Sequence, residues 1–188
     1  MRSNATLHRT TAAAFVALTF SAMSCREAPS EVSHESMHDA AQAAMAKSSG
    51  NGSETSALLK RVHAATARYH STVQATKAGY AVVSPCVSRL VLGGMGFHWV
   101  KGSIVDPVFN PMEPEGLLYA PDKHGKLKLV AVEYIVLDVG QARPYFGDHL
   151  MDIRGTPRPG PHWSLHVWLY EENPNGVFTP YNPSVVCP

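Results

Sequence analysis

The sequence predicts an α+β domain, one N-terminal amphipathic helix packed on a mainly antiparallel sheet of about five strands. Apolar residues recur at spacings of three and four from Leu58 to Thr76, then stop at Gly79. Twelve of the 14 prolines stand at or after position 107, which cuts the rest of the chain into short strands and turns. Within that half the apolar pattern changes to a period of two.

The helix starts at Ser53 or Thr55 and carries Leu58, Val62, Ala65, Tyr69, Val73 and Thr76 on one stripe. His63 and His70 flank the stripe. They are seven residues apart, about 10.5 Å along the axis, which is too far to share one ion. Strands are expected at residues 80–87, 96–101, 116–120, 127–136 and 163–170, and the turn "PDKHGK" joins the third to the fourth. His124 in that turn is read as exposed.

The last strand needs its conformation settled, because as a helix it would stack His162 and His166 four apart, the spacing of a zinc helix. Trp163, Leu165, Val167 and Leu169 alternate with His162, Ser164, His166 and Trp168, and Glu171 and Glu172 would oppose a helix dipole at that end. The segment is therefore a strand. Its two histidines stand too far apart for one ion, and only His166 lies in its middle.

A chain of 188 residues suits one domain. With 45% hydrophobic and 16% charged residues it is globular, and a net charge of +1 with scattered lysines leaves no footprint for nucleic acid. Residues 1–24 read as a secretory signal peptide: Arg2 and Arg9, an apolar run from Ala12 to Phe20, then Ala22-Met23-Ser24 as a small-x-small cleavage site. The run is shorter than a membrane span requires.

Cys25 follows in a lipobox-like position and is read as a lipidation site rather than a free thiol left by simple secretion, so the expected partner is a membrane surface reached through a lipid anchor. Residues 25–54 then form the anchor cysteine and a flexible linker, which spans roughly 30 Å. His34, Met37, His38 and Met45 inside it are soft copper ligands by type but read better as part of a solvated, alanine-rich tract. Residues 55–188 make the single α+β domain. The expected location is the outer face of a bacterial membrane, as a periplasmic lipoprotein, or outside the cell.

Cys86 and Cys187 remain as an even pair in an oxidising compartment. A disulfide between them would close a loop of about a hundred residues, worth about 4.7 kcal/mol in the chain-entropy picture. A nucleophilic Cys86 is the sharper, less favoured alternative.

Three further oddities concern chemistry. Glu133 interrupts the apolar run "LKLVAVEYIV", where a carboxylate is costly unless paired or ligated. In "GMGFHWV", Gly94 and Gly96 permit a close backbone approach, with His98 just beyond. His166 sits mid-strand. Side chains facing one another on neighbouring strands can converge, so His98, Glu133 and His166 form a candidate two-His, one-carboxylate set for zinc, copper or iron, with His149 as a fourth ligand from a loop. A buried His–Glu pair that only fixes strand register, or a ligand cleft without metal, explains the same residues.

Together "GMGFH", "VEY", "LHVWLY", "NPNGVFTPYNP" and the late Cys187 resemble a family of uncharacterised bacterial secreted or lipid-anchored proteins, over roughly residues 58–187. On that resemblance His98, Glu133, His166, Asn173, Gly176, Asn182 and Cys187 are the shared positions. The family has no assigned activity, so the likeness implies a shared site without naming its task. "NPNG" also predicts a turn with Gly176 at positive φ, after which Phe178 and Tyr181 fold back as a clasp. Asn182 reads as part of that clasp before it reads as a ligand contact.

The leading reading is an extracytoplasmic, lipid-anchored metal-binding domain. The second is a metal-free module for a small molecule or a protein partner, with Trp99, Trp163, Trp168 and Asn182 around a cleft. A metal-free hydrolase ranks last: there is no G-x-S-x-G elbow, and Ser164 has no oriented base. A cupin lacks its usual H-x-H pair.

Overall fold

The computed structural model describes residues 52–154 and 160–188; the expected leader, Cys25 and the linker to residue 51, with His34, Met37, His38 and Met45, lie outside the described residues. The fold is α+β, a helical segment on a mainly antiparallel sheet. Helix α1 covers residues 52–66, a 3-10 turn covers Ala67–His70, and α2 covers Thr72–Lys77. None of these helices is long and apolar enough to cross a membrane.

The stripe predicted as one helix is thus broken at Ser71, which is extended and caps α2 by accepting from Gln74 N. Competing hydrogen bonds account for the break. Thr66 Oγ1 donates back to Val62 O, Tyr170 Oη donates to His63 O, and Tyr119 Oη donates to Tyr69 O. Carbonyls that a continuous helix would use are taken by hydroxyls, two of them from the sheet side.

The strands are β1 (Ala81–Val82), β2 (Val87–Arg89), β3 (Gly93–Val100), β4 (Gly116–Pro121), β5 (Leu127–Leu137), β6 (Tyr145–Phe146), β7 (His149–Leu150), β8 (Asp152–Arg154) and β9 (His162–Val167). The main sheet runs β1-β3-β4-β5-β9-β8, with β2 also on β3, and β6-β7 form a separate hairpin. The first expected strand, 80–87, is two strands. β1 pairs with the far end of β3 and β2 with its near end, and Ser84-Pro85-Cys86 bridges them. Gly96, at φ +92, bends β3 between the two, and a Cβ there would meet Tyr119 O at 2.4 Å. The last strand ends at Val167, three residues short of expectation, because Trp168 N turns to Val177 O.

Two apolar layers sandwich the sheet. The helical face packs Val62, Tyr69 and Ala75 on Leu117, Tyr119, Val132, Tyr134 and Leu165. The opposite face holds Leu118, Ala120, Val130, Ala131 and Trp168 beneath Val185 of the C-terminal segment. A register shift between Leu118 and Tyr119 puts both Val130 and Ala131 on this second face. Period-two alternation from Ala131 then places Glu133 there too. The Cys86–Cys187 disulfide, with Cα atoms 5.6 Å apart, fastens the C-terminal segment beside β2. Cys86 is therefore not a free nucleophile.

The close approaches at the β3 glycines are made to the protein itself. A Cβ on Gly93 would lie 2.2 Å from Asn182 O, and one on Gly94 would lie 2.8 Å from Val185. Gly94 and Asn182 also exchange backbone hydrogen bonds in both directions.

Candidate metal centre

Glu133 on β5 stands directly opposite His166 on β9, so their side chains leave the same face as neighbours. His98 does not come from an adjacent strand, as the sequence reading assumed. β4 lies between β3 and β5, which puts their axes about 10 Å apart. The residue of β4 opposite Glu133 is Gly116, and it has no side chain to fill that gap. A Cβ on Gly116 would sit 2.9 Å from Glu133 Cβ and 3.2 Å from Oε2. Through this opening the His98 imidazole reaches across β4.

The result is one cluster. Ligand atoms of His98, Glu133 and His166 all lie within 4.8 Å of one another. His98 Nε2 is 3.8 Å from Glu133 Oε2, and His166 Nε2 is 3.8 Å from Glu133 Oε1. The two rings are nearly perpendicular, with centroids 5.9 Å apart. A 3.8 Å separation is too long for a direct hydrogen bond between these pairs. Donors around a tetrahedral zinc with bonds of about 2.0–2.1 Å are separated by about 3.3 Å, so small rotations of these side chains would close the set on one ion.

Electrostatics favour the ligand form of His98. Burial pushes its imidazole down to about 4, against a smaller upward pull from its hydrogen bond with Gly96, so it is neutral at pH 7 and keeps a lone pair. Its orientation is set by Ser84. The Ser84 hydroxyl lies 3.0 Å from His98 Nδ1, accepts from His98 N at 3.1 Å and donates to Pro85 O at 2.8 Å. With the serine proton on Pro85 O, His98 Nδ1–H donates to Ser84 and Nε2 faces the carboxylate as an acceptor. The cluster is not sealed, since the His98 and Glu133 side chains retain 13% and 12% exposure and His166 retains 5%.

The other candidates fall elsewhere. His149 stacks on Phe178 at 4.1 Å, on the helical side of the sheet, and is not a member of the cluster. Trp99 and Trp163 pack on the helical face, whereas Trp168 is on the other, donating Nε1–H to Thr179 O at 2.6 Å. The three tryptophans therefore do not line one cleft. Asn182 is fully buried, donates to Glu172 O and accepts from Ser184 N, which makes it a clasp residue. Gly176 takes φ +111 in the turn read from "NPNG". His63 and His70 both pack against the Tyr170 ring, and His124 is exposed in its turn.

The sequence reading missed Ser84 and Gly116. The signal for Gly116 was a glycine opening an otherwise apolar strand, "EGLLYA", of the kind that marks a close approach. Ser84 gave no local signal, because its contact is made across a strand pair. Comparison of the chain with protein-family models, with curated proteins and with solved structures found no match.

Proposed function

We propose that the protein is an extracytoplasmic metal-binding domain whose ion is held by His98, Glu133 and His166. The observation that supports this best is the meeting of three ligand atoms, from three strands, within 4.8 Å on the face that also carries the Leu118, Ala131 and Trp168 cluster. A register-fixing His–Glu pair would need only β5 and β9. It gives no reason for a third residue to cross β4 over a glycine. Two imidazoles and a carboxylate suit zinc, copper or iron, and three protein ligands leave positions open toward the solvent side for water or a small molecule.

Export, acylation of Cys25 and membership of the motif-sharing bacterial family complete the reading. The disulfide favours an oxidising compartment. The competing aromatic cleft has lost its basis, because its tryptophans lie on opposite faces.

The test is elemental analysis of the full chain, exported to a periplasm and purified without a metal-binding tag. Near-stoichiometric zinc, copper or iron is expected, and it should vanish in His98→Ala and Glu133→Ala. A His166→Ala protein with unchanged metal content would refute the assignment.

A further inference from the structure

The turn joining β2 to β3 displays three consecutive aliphatic residues to solvent. Leu90 is 95% exposed, Val91 92% and Leu92 44%. The backbone that displays them is strained, for Val91 has φ +74 and is the single non-glycine residue at positive φ among the described residues. A β-branched side chain in this region is an outlier, held only where its surroundings over-determine it.

Several contacts hold those surroundings in place. Leu92 N donates to Arg89 O across the turn, and Gly94 and Asn182 bond reciprocally just behind it. The Arg89 guanidinium lies 5.4 Å above the Tyr181 ring, and the disulfide begins one residue before β2. A strained backbone is thus fastened at several points so that three aliphatic side chains project together.

We propose that this tip enters the interfacial layer of a lipid bilayer. The tip projects as a short aliphatic turn, and a fluid apolar phase can receive such side chains without a shaped groove. Arg89 at its base suits anionic headgroups. The sequence reading puts a lipid tether at Cys25 and a linker reaching roughly 30 Å, so the nearest extended apolar phase is a membrane. A tether alone leaves the domain free to tumble, and the tip supplies the second contact that orients it. The six residue steps from Leu92 to His98 span at most about 20 Å, which would hold the metal centre near the surface and outside it.

The experiment uses the full chain with vesicles of phosphatidylethanolamine and phosphatidylglycerol. In Leu90→Trp, emission should shift to the blue on vesicle addition and be quenched by lipids brominated in the acyl chain. In a Cys25→Ser background, where no acyl anchor can mask the effect, the triple change Leu90→Ser, Val91→Gly, Leu92→Ser should weaken partitioning by at least about tenfold. Its melting temperature should hold or rise, since glycine relieves the positive φ, so the loss will not trace to unfolding. An emission gain of the Leu90→Trp variant over the wild type that brominated lipids leave unquenched, or unchanged partitioning of the triple variant, would overturn the proposal. So would tip-dependent dimers in vesicle-free solution, which would make a second copy the occupant.

Discussion

Gly116 of β4 lies directly opposite Glu133 of β5, and the Cβ it lacks would stand 2.9 Å from Glu133 Cβ. This vacancy lets His98 reach a carboxylate two strands away. Gly116→Ala should therefore lower metal affinity at least about tenfold by displacing Glu133, with an overpacking cost of about 1–3 kcal/mol. Competitive titration with a metallochromic indicator, alongside thermal melts, reads both. Wild-type affinity in a folded Gly116→Ala protein would show that the opening is only a packing detail.

Ser84 touches no ion in this scheme, yet it holds the His98 ring and fixes which nitrogen carries the proton. Ser84→Ala should reduce metal affinity by about 10–100-fold, the usual effect of removing a partner that orients a ligand. The lost hydrogen bonds should cost only about 1 kcal/mol of stability. Ser84→Thr, which keeps the hydroxyl, should restore most of the affinity. If Ala and Thr variants bind metal equally, the hydroxyl is not what orients the ring.

Glu133, His166 and His98 were legible because each breaks a local rule: a charge in a sheet core, or a histidine in an apolar strand. The strand assignment of "HWSLHVW" followed from its period of two. What the sequence could not supply was strand order. It suggested three adjacent strands, whereas β4 intervenes, and so the need for Gly116 was invisible. His149 and Trp99 failed for the same reason, since alternation tells which residues share a face of one strand but not which faces of separate elements meet; Trp163 and Trp168 already fell on opposite faces in the alternation of the last strand. The helix break at Ser71 was hidden because the hydroxyls that cause it come partly from Tyr119 and Tyr170, far along the chain.

Glu115 makes stability depend on pH. It is almost fully buried, its Oε2 accepts from Ile135 N at 2.9 Å, and burial pushes its carboxyl from 4.5 up to about 8 despite that bond. The folded state therefore holds the proton more tightly than the unfolded chain. The contribution is complete below about pH 4.5, declines as pH rises, and is gone above about 8. Glu115→Gln is neutral throughout and keeps an acceptor for Ile135. Urea unfolding at a series of pH values should show the variant gaining on the wild type between about 4.5 and 8, then keeping a constant lead. Parallel curves across that window would mean that Glu115 is ionised in the folded protein.

The Cys86–Cys187 bond spans a sequence separation of 101 and ties the C-terminal segment to β2. Such a loop is worth about 4–5 kcal/mol in the chain-entropy picture. Its loss should be felt unequally across the molecule. Val185 and the Asn182 bridge to Gly94 depend on the C-terminal segment staying in place, whereas His166 and Glu133 are held by β5 and β9. Cys86→Ser with Cys187→Ser should therefore lower global stability by several kcal/mol. In native-state hydrogen exchange, the amides of Gly94 and Asn182 should lose more protection than those of β5. If β5 and the C-terminal segment lose protection equally, the disulfide stabilises the domain as one cooperative unit and gives the hairpin beside it no special support.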